Sequence, residues 1–201
     1  MSLRFWKIAP EGPERINTFL QRVQSLKWDD ENQGKPLQSL FDEINTLMQY
    51  EIQYYFRVSR RDGFLSVACR CFIILFGGLG FLMPLIENAG YLGVGKFGFL
   101  SFGIAGMFVA ANNVFGASTS HARYITTQFH LEQLVSEKNI LWHQQKCMWD
   151  NPSPSKEQIA ASFKIIQVYS EEAYKLIIAE TTEWSEVWTK AIADYAKTLK
   201  G

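Results

Sequence analysis

Three histidines (His121, His130, His143) and three cysteines (Cys69, Cys71, Cys147) are the residues of this 201-residue chain on which metal or redox chemistry could be built. A helical metal pair needs two ligands one turn apart on one face. The histidines are nine and thirteen positions apart, so they do not supply one. Cys69 and Cys71 are two apart, which on a helix points them to different faces, and no zinc spacing is present. They read as reduced structural residues. Glu171, Glu172, Glu180, Glu183 and Glu186 form an acidic stretch that reads as a solvated helix face. There is no P-loop, dinucleotide fingerprint, nucleophile elbow or HExxH sequence. With no catalytic set, metal site or cofactor motif, the sequence points away from an enzyme.

The polar pair that does stand out is Asn112-Asn113, because of where it lies. From Phe97 to Ser120 there is no Asp, Glu, Lys or Arg, and Leu100, Phe102, Ile104, Met107, Phe108 and Val109 cover every helical face. Phe64–Ile86 is equally apolar apart from Arg70. A helix of about 20 apolar residues crosses the roughly 30 Å hydrocarbon layer. All-round hydrophobicity marks a membrane span or the core of a large protein. A soluble bundle would need more amphipathic partners than this chain has to spare. Residues 64–86 and 97–116 are therefore predicted to be two spans, with the Gly-rich segment 87–96 as their outer turn. An unpaired side-chain amide in hydrocarbon costs several kcal/mol, of order 4–8 on alkane-transfer scales. Asn112 and Asn113 thus sit at the headgroup boundary, bond to a partner helix, or line an aqueous path.

The elements that position this hairpin follow from hydrophobic periodicity. Pro10 and Pro13 frame a helix start. Ile16, Phe19, Leu20, Val23 and Leu26 then predict a short amphipathic helix, ended by a loop over 29–36. Leu37, Leu40, Phe41, Ile44, Leu47, Met48, Tyr55 and Val58 predict a second helix over about 37–60, interrupted at Asp62-Gly63 before the first span. Its polar face carries Asp42, Glu43 and Glu51 rather than the basic residues of a surface binder, which favours helix–helix packing. Pro84 should kink the first span near its outer end. Beyond the second span, Tyr124, Leu131, Leu134, Val135, Leu141, Trp142 and Met148 predict a helix to about 149. Asn151-Pro-Ser-Pro-Ser155 breaks it, and Ser155 with Gln158 predicts a capping box for a last helix. That helix either runs on to about 198 or breaks near Thr181-Thr182.

The expected fold is an all-α membrane protein: a two-helix transmembrane hairpin with long amphipathic cytoplasmic helices before and after it. Its parts are residues 1–62, the hairpin 63–117, and residues 118–201. Arg57, Arg60, Arg61 and Arg70 precede or begin the first span, Arg123 follows the second, and the connecting loop has only Lys96. The positive-inside rule places both termini in the cytoplasm of the inner membrane, with these arginines as interface anchors. Ser101/Ala105 and Gly106/Ala110 have the four-residue spacing at which helices in lipid touch. Together with Asn112 and Asn113 they are the candidate span-packing or pore residues. Formal net charge is +0, so no basic nucleic-acid-binding face is indicated.

This layout resembles the SLATT family, two-transmembrane effectors of bacterial nucleotide-signalling and other anti-phage systems. The likeness covers roughly residues 37–150 and lies in hydropathy and order. It is strongest from Tyr54-Tyr55-Phe56-Arg57 into the first span and from Tyr124 onward. The resemblance implies a dormant homo-oligomerising protein that permeabilises or depolarises its own cell's inner membrane when an upstream sensor detects infection. That sensor would be a nucleotide second-messenger synthase, or a retron reverse transcriptase with its RNA–DNA product. Trp142, Trp149, Trp184 and Trp188 offer aromatic surfaces for self-association or for a restraining partner. A membrane-anchored helical scaffold and a constitutive small-ion channel are the competing readings.

Overall fold

In the computed structural model the described residues are 14–28, 33–90, 93–115, 117–149 and 154–198. Only the backbone is described for 114, 115, 117, 118, 183, 184, 187, 188 and 190–198. Pro10, Pro13, most of the 151–155 break and the side chains of Trp184 and Trp188 lie outside the described residues. The chain is all-α, and five helices account for the described residues. They are α1 (Glu14–Gln24), α2 (Gly34–Asn88), α3 (Lys96–Phe115), α4 (Ala117–Cys147) and α5 (Lys156–Thr198).

Two boundaries differ from the sequence reading. Helix α2 is continuous for 55 residues through Asp62-Gly63 and through Pro84. A glycine inside a helix costs only about 1 kcal/mol relative to alanine, too little to end a helix packed on both sides of it. Asp62 is also engaged, accepting from Arg61 Nε at 3.0 Å. At the other end α2 begins at Gly34, so Pro36 lies inside its first turn. Proline is tolerated there because the first amide groups have no helical acceptor. Helix α5 likewise runs unbroken through Thr181-Thr182. The predicted capping box forms at its start: Gln158 N donates to Ser155 Oγ at 3.3 Å, and Ser155 N donates to Gln158 Oε1 at 2.8 Å.

The helices divide between two compact units, residues 1–53 with 129–178, and 54–128 with 179–201. In the first, Leu37, Phe41, Ile44 and Met48 of α2 are buried at alternating four- and three-residue steps. That is the 3.5-residue repeat of a coiled-coil seam. Leu131, Leu134 and Trp142 of α4 and Ile166, Tyr169 and Ala173 of α5 complete the core. Phe41 stacks on Trp142 with ring centroids 4.5 Å apart. Trp142 is thus almost fully buried, 1% exposed, and Trp149 is half-buried against it edge-on. Neither is the exposed aromatic surface that the sequence suggested.

The polar groups of this core are matched. Trp142 Nε1 donates to Gln38 Oε1 at 2.9 Å, and Asn45 Oδ1 accepts from Tyr169 Oη at 3.0 Å and Asn139 Nδ2 at 3.3 Å. Buried Lys138 reaches Glu172 at 2.6 Å. Burial raises the Tyr169 phenol well above its ordinary pKa, since an anion there would lose its water. Helix α1 has no buried residue. It is tied antiparallel to α2 through Arg15–Glu51 at 2.5 Å and Arg22–Glu43 at 3.2 Å.

Candidate functional site: the apolar helix pair and its polar base

The second unit holds the apolar parts of α2 and α3. Among the described residues one helix, α2, is long and apolar enough to cross a membrane, and only 11% of its apolar window is buried. Such a helix is consistent with membrane association. Its apolar stretch ends at a tight turn. Gly90 has φ of 81° and its N–H bonds Glu87 O at 2.9 Å. This is the left-handed termination that favours glycine.

Helices α2 and α3 meet through small residues and rings. A Cβ at Gly98 would lie 2.9 Å from Gly80 O and 2.9 Å from the Pro84 ring. The reason is local chemistry. Pro84 has no N–H, so the carbonyl of Gly80, four residues earlier, loses its helical donor. Gly98 is the residue whose missing side chain lets α3 approach that carbonyl. A Cβ at Gly80 would in turn meet the Phe102 ring at 2.9 Å. Farther along, Phe108 stacks on Phe72 at 4.9 Å and on Phe76 at 6.2 Å.

Gly98, Ser101, Ala105, Phe108 and Asn112 therefore form the side of α3 that faces α2 within the chain. Gly98, Ser101 and Ala105 are buried there, and Ser101 Oγ lies 3.9 Å from Met83 Sδ. Asn112 is half-buried, and its Oδ1 is enclosed with no hydrogen-bond partner among the described residues. The other predicted packing residues are elsewhere: Gly106, Ala110 and Asn113 are exposed. A Cβ at Gly103 or Gly106 would meet nothing within 4 Å. The two small-residue pairs thus separate, Ser101/Ala105 inward and Gly106/Ala110 outward.

The predicted anchors also separate. Arg57, Arg60 and Arg70 are exposed, and Arg61 pairs with its neighbour Asp62. Arg123 is different. Its side chain is 12% exposed and its Nε donates to Glu180 Oε1 at 3.0 Å; Glu180 is itself 9% exposed. The second oxygen of Glu180 accepts from Tyr55 Oη at 3.4 Å. The Arg123 guanidinium lies 5.5 Å from the Tyr124 ring centroid, and the Tyr55 and Tyr124 rings are 6.0 Å apart. Burial, then the Glu180 carboxylate, raises the Tyr124 phenol, with Arg123 opposing. One turn along α2, Ser59 O is 2.6 Å from His121 Nδ1, which places the ring proton on that nitrogen. Gly63 lies under the same ring, where a Cβ would come within 2.8 Å.

The sequence reading puts Glu180 on a solvated face, whereas it is buried, and does not single out Gly98. The signal for Glu180 was available: it falls seven residues after Ala173, in the seam that carries Ile166 and Tyr169.

No three of the His, Cys, Asp and Glu side chains come together to hold a metal ion among the described residues. The three cysteines are free thiols. Comparison with family models, with curated proteins and with solved structures finds no match.

Proposed function

We propose that the chain is a two-span membrane effector: α2 from about residue 64 and α3 cross the inner membrane as a hairpin, with both termini cytoplasmic, and copies assemble to permeabilise it. The observation that carries this reading is the distribution of exposed apolar side chains. Phe64, Ile74, Phe81, Phe99, Leu100 and Met107 are each 60–82% exposed, while the faces between α2 and α3 are packed. Burying a large apolar side chain fully is worth about 1.5–3 kcal/mol. A surface with this many in water would cost on the order of 10 kcal/mol, far beyond the patches that water-soluble monomers expose. Lipid removes that cost.

Two helices cannot enclose a water path, so permeabilisation requires several copies. The outward strip of Gly103, Gly106 and Ala110, with Asn113 beside it, is the surface on which spans of neighbouring copies could approach closely. Inert expression with an intact potential would instead fit a membrane-tethered scaffold. The test is induced expression in a bacterial host with a potential-sensitive dye. The effector reading predicts depolarisation and growth arrest, and loss of both in Gly106→Leu while the variant still reaches the membrane. Full-strength depolarisation by Gly106→Leu would remove this strip from the assembly, and no depolarisation by the unaltered chain under any trigger would remove the effector reading.

A further inference from the structure

Glu180 occupies a position that neither a solvated face nor a simple core contact explains. It lies on α5, yet its two oxygens accept from different helices: Oε1 from Arg123 of α4 and Oε2 from Tyr55 of α2. Tyr55 lies nine residues before Phe64, where the apolar run of α2 begins, and Arg123 lies eight after Phe115, where α3 ends. One carboxylate therefore bridges the chain entering the hairpin and the chain leaving it.

The contact is enclosed but incomplete. A full arginine fork gives a carboxylate two parallel N–H bonds. Here Arg123 bonds through Nε, and its Nη2 is buried with no partner among the described residues. A buried charge pair gains from its mutual attraction and loses the water of both partners. An orphaned N–H adds to the loss without adding to the gain, and opening the contact returns that donor to water. The neighbouring His121–Ser59 bond joins α2 to α4 without α5. Withdrawal of Glu180 would thus remove this tie of α5 to α2 and α4 while leaving that α2–α4 contact in place.

We propose that Glu180 is a releasable clamp, through which the end of α5 holds the two ends of the hairpin in the resting arrangement. The clamp rests on these contacts alone; its consequence, restraint of membrane permeabilisation, rests on the effector reading above. Removal of the carboxylate should loosen α5 beyond residue 178 and the first turns of α4, but not the core built from 37–53 and 129–178.

The test is hydrogen exchange on the full chain in lipid nanodiscs, comparing the unaltered protein with Glu180→Gln, Tyr55→Phe and the exchanged pair Arg123→Glu with Glu180→Arg. Glu180→Gln should speed exchange over 179–198 and 119–126 by roughly tenfold or more, with amides of 37–53 and 131–147 unchanged. Tyr55→Phe should give a smaller rise in the same segments, and the exchanged pair should restore part of the protection. Unchanged exchange in Glu180→Gln, or a rise spread evenly over both units, would overturn the clamp. The dye assay on the same variants separates the two ideas. Localised opening together with depolarisation at lower expression supports both. Localised opening with depolarisation at the same expression as the unaltered chain keeps the clamp and discards its restraint of permeabilisation, and no depolarisation by any of these chains under any trigger discards the effector alone.

Discussion

Replacing Gly98 by alanine adds one methyl group at the tightest point between α2 and α3. Its Cβ would stand 2.9 Å from Gly80 O and from two carbons of Pro84, where ordinary contact begins at 3.4 Å. The helices must separate there by about 0.5 Å, or α3 must rotate. Neither obstacle is the free end of a side chain: one is backbone and the other a closed ring. Overpacking of this kind costs about 1–3 kcal/mol, a factor of roughly 5 to 150 in the unfolding equilibrium. Gly103→Ala is the matched control, since its Cβ would meet nothing within 4 Å. It should be neutral or stabilising by up to about 1 kcal/mol from helix propensity. The assay is SDS-driven unfolding of both variants in bicelles, followed by circular dichroism. Gly98→Ala should unfold at clearly lower SDS than the unaltered chain, and Gly103→Ala should not. If Gly98→Ala were as stable as Gly103→Ala, the close approach of α3 to the Gly80 carbonyl would be refuted.

Two more expectations concern the unit built from 1–53 and 129–178. Phe41 is 1% exposed and stacked on Trp142, so Phe41→Ala should lower stability by about 3–5 kcal/mol; unchanged urea unfolding in detergent would contradict that packing. Tyr169 keeps its proton to higher pH folded than unfolded, because it is buried. The folded state then binds more protons in that window, so stability falls as pH rises past the ordinary tyrosine value of about 10. Beside the Tyr124 phenol, which burial also raises, tyrosinate absorbance should show a later-titrating phenol that is missing in Tyr169→Phe, and its titration near the ordinary value would contradict the burial of Tyr169.

Periodicity made the helices legible, because a 3.5-residue apolar repeat is written directly in positions such as Leu37, Phe41, Ile44 and Met48. The helix between Lys156 and Thr198 and its Ser155–Gln158 cap were legible for the same reason: both depend on residues close in sequence. What lay hidden depends on which helix meets which. Arg123 is as basic as Arg57, and only the carboxylate of Glu180, 57 residues away, separates its buried position from an exposed one. Ser101/Ala105 and Gly106/Ala110 have identical spacing, so nothing local could say which pair faces α2. Gly98 acquires its meaning from Pro84, through a carbonyl left without a donor on another helix. Glu51, Lys138 and Glu180 sit in apolar seams and are tolerated there because Arg15, Glu172 and Arg123 reach them, information that a hydrophobic pattern does not contain.

The central proposal is that lipid covers α2 from about residue 64 together with α3, with the Gly90 turn outside and both termini cytoplasmic. Gly93 is exposed and a side chain there would meet nothing, and Cys147 is an exposed native thiol. With Cys69 and Cys71 replaced by alanine, a membrane-impermeant maleimide should label Gly93→Cys in intact spheroplasts and Cys147 only after permeabilisation. Labelling of both positions only after lysis, with the chain recovered from the soluble fraction, would contradict the account.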